Sequence, residues 1–172
     1  KVLLIDDQES SASQIARMLR EACDLHIAAD PQSGFFEAAE AGHECVLIST
    51  RLAEFDPLRL CAQLRTLDRT RFIPIVLLAD EGDEDRLLRG LELGINDYVT
   101  RPIDRQELLA RLRTQIRRKR YNDHLRESLA ETIEMAVTDG LTGLHNRRYL
   151  DSHLATLFER AKSRNRPLTL II

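Results

Sequence analysis

The sequence has no long apolar run, no large excess of either charge and no paired cysteine motif. No run approaches the roughly 20 apolar residues that cross a bilayer, so we expect no membrane span. A formal net charge of -3 over 172 residues gives no basic surface for nucleic acid. The three cysteines, Cys23, Cys45 and Cys61, are widely spaced and odd in number. This favours buried thiols of a reduced, cytoplasmic protein over a disulfide or metal role.

The histidines also lack a recognisable metal-binding spacing such as H-E-x-x-H. We therefore expect all five to be surface or helix residues: His26, His43, His124, His145 and His153. No signal peptide is recognisable at the start of the sequence. The chain begins with Lys1 rather than methionine, however, and we expect further sequence upstream.

Five short apolar runs alternate with amphipathic stretches. The runs are residues 2–5, 25–29, 45–48, 73–78 and 97–100. The third and fourth show little polar alternation, which suits strands buried on both faces of a parallel sheet. Between the runs, apolar residues such as Leu87, Leu88 and Leu91 return at helical spacing. The pattern predicts an α/β fold of five parallel strands joined by right-handed helical crossovers.

Polar residues follow three of the predicted strands. Asp6 and Asp7 follow the first, Ser49 follows the third, and Arg101 follows the fifth, just before Pro102. In the flavodoxin-like strand order 2-1-3-4-5, ligands bind at the carboxyl ends near strands 1 and 3. Two carboxylates there could hold Mg²⁺ weakly, because this cation prefers oxygen ligands. The alternative is an acid pair that is solvated or hydrogen-bonded to the backbone.

A long uninterrupted helix is predicted after the fifth strand. Residues 104–137 contain neither glycine nor proline and would span roughly 50 Å as a helix. Leu125, Leu129 and Ile133 form an apolar stripe, spaced by four, beyond the part that can pack on the sheet. The stripe predicts a two-helix seam between protomers of a homodimer. An exposed connector stabilised by salt bridges is the alternative.

Residues 1 to about 115 resemble the receiver domain of response regulators, which takes phosphate from a histidine kinase onto an aspartate. That position is Ser49 here. The resemblance also implies a threonine or serine at the end of strand 4, here Ala79, and a lysine before the strand-5 proline, here Arg101. Tyr98 keeps the aromatic residue of strand 5. The resemblance thus implies a receiver that has kept its architecture, including a cis Arg101–Pro102 peptide, but has lost its phosphorylation switch.

A second motif follows the long helix. Residues 139–148 closely resemble the signature D-x-L-T-G-L-x-N-R-R at the start of GGDEF domains, which condense two GTP molecules into cyclic di-GMP. The matching residues are Asp139, Leu141, Thr142, Gly143, Leu144, Asn146, Arg147 and Arg148. The resemblance implies a following helix and, from Pro167, a first strand. Because the sequence stops at or before the family's metal-binding motif, we expect no enzyme activity from these residues.

The whole arrangement resembles response-regulator diguanylate cyclases of the PleD type, in which an adaptor receiver lies between a phosphorylatable receiver and the cyclase. We expect residues 1–116 to be the adaptor, 117–138 the helical linker and 139–172 the truncated start of the GGDEF domain. The adaptor would require no cofactor. It would dimerise or dock against a phosphorylatable receiver of the same chain or of a partner protomer. The parent protein would use Mg²⁺ and GTP.

Two alternatives stay open at this point. The segment could be a working phosphoreceiver that uses another acid, Glu54 or Asp56, although both lie beyond the predicted strand end. The function could also be the diguanylate cyclase activity of the full-length enzyme. Ser49 as a nucleophile is disfavoured, because no G-x-S-x-G motif surrounds it.

Overall fold

The computed structural model describes residues 1–40 and 42–169, and the chain divides into two compact units, 1–121 and 122–172. The first unit contains a five-stranded sheet. Its strands are β1 (Val2–Ile5), β2 (Leu25–Ala28), β3 (Cys45–Ser49), β4 (Ile75–Ala79) and β5 (Asp97–Thr100). All neighbouring strands are parallel, in the order β2-β1-β3-β4-β5. The flavodoxin-like prediction is confirmed.

Helices alternate with the strands as predicted. They are α1 (Glu9–Leu19), α2 (Pro31–Glu40), α3 (Pro57–Thr66), α4 (Glu84–Glu92), α5 (Arg105–Val137) and α6 (Arg147–Ser163). Pro31 and Pro57 each occupy the first position of a helix, where their missing N–H costs nothing. The preceding Asp30 and Asp56 cap these helices by accepting hydrogen bonds from backbone N–H groups. The peptide between Arg101 and Pro102 is cis, as expected.

The core lies on both faces of the sheet. Along β1, Leu3 and Ile5 belong to one apolar cluster, whereas Val2 and Leu4 belong to the other, and all four are fully buried. Burying such an aliphatic side chain is worth roughly 1.5–3 kcal/mol. The first half of α5 covers one face with Leu108, Leu109 and Leu112, while Ile116 is partly buried against them. Burial on both faces explains why these strands show no polar alternation.

Helix α4 is more exposed than its sequence pattern suggests. Leu87 is buried in the core, but Leu88 and Leu91 are 62% and 46% exposed. Gly94, with a φ of +91°, ends this segment in a left-handed conformation. Helical spacing alone therefore identifies the helix but not how much of its apolar surface is covered.

The prediction for the histidines is wrong for His43. Its side chain is fully buried, in the connection between α2 and β3 rather than in a helix. His26 lies in strand β2 and is partly exposed. The buried thiols of Cys45 and Cys61 agree with expectation, and burial raises the pKa of each to about 12.

The second unit contains the rest of α5 and the GGDEF-like signature. Asp139 Oδ1 accepts hydrogen bonds from the backbone N–H and the hydroxyl of Thr142. Asn146 caps α6 by accepting from the Tyr149 N–H, and its amide donates to the carbonyl of Ala136. These polar residues thus hold the turn between the two helices. Leu141, Leu144, Arg147 and Arg148 are exposed, and Gly143 has a positive φ.

The predicted strand of the second unit is only partly within the described chain. Residues 166–169 form neither helix nor strand, and residues 170–172 lie outside the described residues. Among the helices of the described ranges, none combines the length and apolar character of a membrane span.

Gly34 provides a test of how tightly α2 packs on the sheet. A Cβ there would lie 2.7 Å from Cδ1 of the fully buried Ile5. We predict that Gly34→Ala lowers the free energy of unfolding by about 1–2 kcal/mol, because overpacking outweighs the gain in helix propensity. Urea denaturation would measure the change. Gly140→Ala, whose Cβ would meet nothing within 4 Å, is the control. A neutral Gly34→Ala would contradict this packing.

Candidate functional site

The carboxyl edge of the sheet brings three of the predicted site residues together. Asp6 follows β1, Ser49 ends β3 and Arg101 follows β5. Arg101 Nη2 lies 3.0 Å from Ser49 Oγ and 3.8 Å from Asp6 Oδ2. This contact joins groups that are 52 and 95 residues apart in the sequence, as expected from parallel strands ending at one edge.

The two acidic residues after β1 have different surroundings. Asp6 is buried, and both of its carboxylate oxygens accept hydrogen bonds, Oδ1 from Gln8 N at 3.1 Å and Oδ2 from Ser11 Oγ at 2.6 Å. Asp7 Oδ2 accepts from Ala53 N at 2.7 Å. Its buried Oδ1 has no hydrogen-bond partner among the described residues. Asp7 therefore keeps one oxygen without a hydrogen bond, whereas each oxygen of Asp6 accepts one.

Ser49 is completely buried and is held by two donors. Its Oγ accepts from Arg51 N at 3.3 Å and from Arg101 Nη2 at 3.0 Å. A nucleophilic serine needs a neighbouring general base that removes its proton. The groups bonded to this Oγ are a backbone N–H and a guanidinium, which are donors only. The geometry thus fits a structural hydroxyl.

Arg101 connects several groups of the pocket at once. Its Nη1 donates to the carbonyl oxygen of Leu78 at 2.7 Å and lies 3.5 Å from Asp80 Oδ1. Its Nη2 also contacts Ser11 Oγ at 3.3 Å. Burial lowers the pKa of Arg101. The guanidinium nevertheless carries its positive charge, because arginine is always charged in proteins. The acidic pocket thus contains a permanent internal cation.

A second cation lies at the rim of the pocket. Arg51 Nε donates to Asp80 Oδ2 at 2.7 Å, and this bond is the main reason why the pKa of Asp80 lies below its usual value. Thr50 Oγ1 donates to the Leu78 carbonyl at 3.2 Å or to Asp83 Oδ2 at 2.8 Å. Our prediction from the sequence did not include these residues. Their positions directly after β3 and β4 are the signal that could have revealed them.

Two further predicted positions contribute no polar side-chain contact to this cluster. Ala79 is fully buried as the last residue of β4, opposite Thr100. Tyr98 is partly buried against the same apolar cluster that contains Ala79 and Leu87. The Arg111 guanidinium carbon lies 5.8 Å from the centre of the Tyr98 ring. The end of β4 therefore offers no hydroxyl toward the pocket.

The donor set is a poor fit for Mg²⁺. This cation requires an octahedral shell of oxygen ligands and usually keeps several waters. Asp7 Oδ1 is available and each Asp6 oxygen accepts one hydrogen bond, but the third strand supplies a neutral hydroxyl that is already bonded to Arg101. The charge of Arg101, 3.8 Å from Asp6, also opposes a second cation.

The linker residues lie in the second unit on α5. Leu125, Leu129 and Ile133 are 47%, 55% and 62% exposed. Their spacing of four places them along one face of the helix. The predicted stripe therefore exists as an apolar surface that is open to a partner.

Comparison with known sequences identifies the family. Residues 2–113 match the model of the response regulator receiver domain. The chain belongs to the response regulator receiver family. Residues 136–172 match a second model, that of the diguanylate cyclase GGDEF domain.

Curated proteins are similar to this chain over different lengths. Response regulator PleD of Caulobacter vibrioides is 41% identical over 172 residues, which are all of this chain but only 38% of PleD. Sensory transduction protein RegX3 of Mycolicibacterium smegmatis is 34% identical over 123 residues, covering 71% of this chain and 53% of that protein. The chain thus spans about 40–50% of the length of these two relatives.

A solved structure of a receiver domain is also similar. It belongs to a sensor histidine kinase of Pseudomonas aeruginosa and has a magnesium ion in its active-site cleft. The two chains are 26% identical with a TM-score of 0.62, and the alignment covers 67% of this chain and 95% of that one. This similarity agrees with the receiver family and the sheet order described above.

The Arg51–Asp80 pair gives a prediction for acid sensitivity. The lowered pKa of Asp80 contributes stability that is complete above about pH 4 and is lost as pH falls through the lower, folded-state pKa. We expect Arg51→Gln to raise the pKa of Asp80 toward its ordinary value. Near neutral pH the variant should have a lower free energy of unfolding than the unsubstituted chain. This difference should disappear in acid.

Carboxyl NMR titration and urea denaturation at several pH values would measure both effects. Arg59→Gln is a suitable control, because the Arg59 guanidinium lies over the Phe55 ring instead. An unchanged Asp80 pKa in Arg51→Gln would contradict the assignment.

Proposed function

We propose that the first unit is a non-phosphorylatable receiver that acts as an adaptor in a two-component signalling protein. The observation that carries this proposal is the 3.0 Å hydrogen bond from Arg101 Nη2 to the buried Ser49 Oγ. A serine at the phosphoacceptor position cannot form the labile acyl phosphate on which a receiver depends. The internal guanidinium also leaves less room for a metal and a phosphoryl group.

A receiver that uses a different acid is the weaker alternative. Asp56 is an exposed residue whose Oδ1 accepts from Leu58 N at 3.0 Å and caps α3. Glu54 is exposed in the loop after β3. Neither is hydrogen-bonded to the cluster of Asp6 and Arg101, so a phosphoryl group on either would lack its charge partners.

We further propose that the parent protein is a diguanylate cyclase that converts two GTP to cyclic di-GMP, using Mg²⁺. The match of residues 136–172 to the GGDEF domain and the similarity to PleD support this. The residues of this chain would not be catalytic themselves. Two GTP-loaded sites must face each other to be joined twice, so an adaptor can control output by proximity alone.

The partner of the adaptor would be a phosphorylatable receiver of the same chain or of a second protomer, within a cytoplasmic homodimer. Several apolar side chains of the described residues are open to such contacts, and two groups of them lie along helices next to or continuing from the sheet unit. One is the stripe Leu125, Leu129 and Ile133 on α5, and the other is formed by Leu88 and Leu91 on α4. We assign the protomer seam to the α5 stripe, because covering three such side chains can drive a weak dimer.

The pocket predicts how the chain responds to phosphodonors. Acetyl phosphate or beryllofluoride with Mg²⁺ should leave its mass and oligomeric state unchanged, because Ser49 Oγ has no base and Ala79 has no hydroxyl. Intact-mass spectrometry and sedimentation equilibrium would measure both. A stoichiometric, acid-labile phosphate on the chain would overturn the adaptor proposal.

The same pocket predicts the effect of restoring a carboxylate. Ser49→Asp should strengthen Mg²⁺ binding, because it adds an oxygen ligand and a negative charge beside Asp6 and Asp7. Titration calorimetry with MgCl₂ on the unsubstituted chain and on the variant would show the difference in affinity. Ser33→Asp, at an exposed position on α2, is the control for added charge. If Ser49→Asp gained no more than this control, the proposed pocket geometry would be wrong.

The α5 stripe predicts a mutation that separates dimerisation from folding. Leu125→Glu with Leu129→Glu should weaken self-association by roughly tenfold or more per leucine. The sheet should remain folded, since both residues lie outside its core. In the parent protein, GTP turnover should fall because the catalytic halves lose proximity.

Sedimentation equilibrium and a GTP turnover assay would test both expectations. The matched control is His124→Glu with Ser128→Glu, which also adds two charges spaced by four but off the stripe. If the leucine pair had no more effect than this control, α5 would be only a connector.

A further inference from the structure

A polar cluster on the opposite side of β1 from Ser49 is not used by the site described above. His26 lies on strand β2, Glu37 on helix α2 and His43 in the connection to β3. His26 Nδ1 is 3.0 Å from Glu37 Oε1, and His43 Nε2 is 3.9 Å from the same oxygen. Each of the three residues offers one atom that could bind a metal ion, and these three atoms lie within 4.8 Å of one another.

His43 is the unusual member of this cluster. Its side chain is fully buried, and neither ring nitrogen has a hydrogen-bond partner among the described residues. A buried polar atom without a partner costs free energy, so such atoms in native proteins require an explanation.

We propose that His26, Glu37 and His43 form a binding site for a divalent transition-metal ion, with Zn²⁺ as the best match. Two imidazole nitrogens and a carboxylate oxygen are ligands that zinc accepts, whereas Mg²⁺ and Ca²⁺ prefer oxygen alone. Tetrahedral zinc with bonds of about 2.0–2.1 Å would place its ligand atoms about 3.3 Å apart. The observed 3.0 and 3.9 Å distances lie on either side of that value.

Asp24 supports this assignment from outside the three ligands. Its Oδ2 lies 3.6 Å from His26 Nε2, the ring nitrogen that does not face Glu37, at a distance beyond that of a hydrogen bond. A proton on Nε2 facing Asp24 would leave the Nδ1 lone pair directed at the metal. Carboxylate groups commonly orient metal-binding histidines in this way. Asp24 is thus a positioning residue rather than a ligand.

The site is accessible to an ion from solvent. The side chains of His26 and Glu37 are 33% and 32% exposed, while His43 closes the inner side. Three protein ligands leave a fourth position for water or another donor. The ligands are 11 and 6 residues apart in the sequence, so they meet only through the β2–α2–β3 connection, and no short motif reveals them.

Titration calorimetry with ZnCl₂ on the complete 172-residue chain tests this inference. We expect one ion per chain, and a rise in Tm on adding ZnCl₂. His26→Gln and Glu37→Gln, both at partly exposed positions, should each lower the affinity at least about tenfold. Asp24→Asn should lower it by roughly 10–100-fold if it orients His26. MgCl₂ should not compete.

The control variants are His124→Gln and His153→Gln, which remove exposed histidines elsewhere and should leave the affinity unchanged. Absorption of the Co²⁺-loaded chain provides a second readout, because a site of low coordination number gives intense visible bands that both ligand variants should lose. The absence of saturable ZnCl₂ binding would overturn the proposal. Equal binding by the parent chain, His26→Gln and Glu37→Gln would also overturn it, and His26, Glu37 and His43 would then be only a polar cluster.

Discussion

The carboxyl edge of the sheet depends on the contacts of one partly buried guanidinium, that of Arg101. It connects the segments after β1 and β5 with the ends of β3 and β4 through Asp6, Ser49 and the Leu78 carbonyl. A buried carboxylate such as Asp6 is tolerated only when hydrogen bonds and an opposite charge compensate for lost hydration. For Asp6 this compensation comes from residues of the chain itself, whereas the nearby Asp7 Oδ1 and Asp80 Oδ1 have no hydrogen-bond partner among the described residues.

The hydrogen bonds that Asp6 and Ser49 already make limit how the pocket can respond to phosphate. A receiver responds to phosphate when the added charge rearranges groups that were otherwise incompletely paired. In this chain both oxygens of Asp6 and the hydroxyl of Ser49 already have donors, and Arg101 is permanently charged. Asp7 Oδ1 is the one unpartnered oxygen of the acidic pair in the described structure. This pairing supports the proposal that the pocket binds a cation weakly and does not act as a phosphorylation switch.

Much of this arrangement could be predicted from the sequence, because its causes are local. Uninterrupted apolar runs indicate strands buried on both faces, and an Asp-Pro pair predicts each helix start at Pro31 and Pro57. Asp6, Ser49 and Arg101 were identifiable because they follow predicted strands that end at one edge. The Arg51–Asp80 bond was not, since it depends on the directions that two side chains take after their strands end.

The errors have a common physical origin. The burial of His43 depends on how α2 packs against β2, and the exposure of Leu88 depends on which face of α4 meets the sheet. Neither follows from spacing along the chain. Strand β4 begins at Ile75, two residues later than the apolar run, because burial of Ile73 occurs without strand pairing. An apolar run indicates which residues are buried, whereas the first and last residues of a strand depend on backbone hydrogen bonds to its neighbours.

In the proposed adaptor the pocket does not switch, so the regulatory role would lie on its surfaces and on α5. A solvated helix is marginally stable unless an apolar face is covered, and the first half of α5 satisfies this requirement by packing on the sheet with Leu108 and Leu112. The same helix continues without interruption to Val137. In its second half, Leu125 and Leu129 are exposed and do not pack on the sheet. A second copy of the stripe would cover them. Pairing there would bring two GGDEF domains near each other. Control by proximity therefore needs only an anchored helix and an apolar stripe, and it needs no chemistry at Ser49.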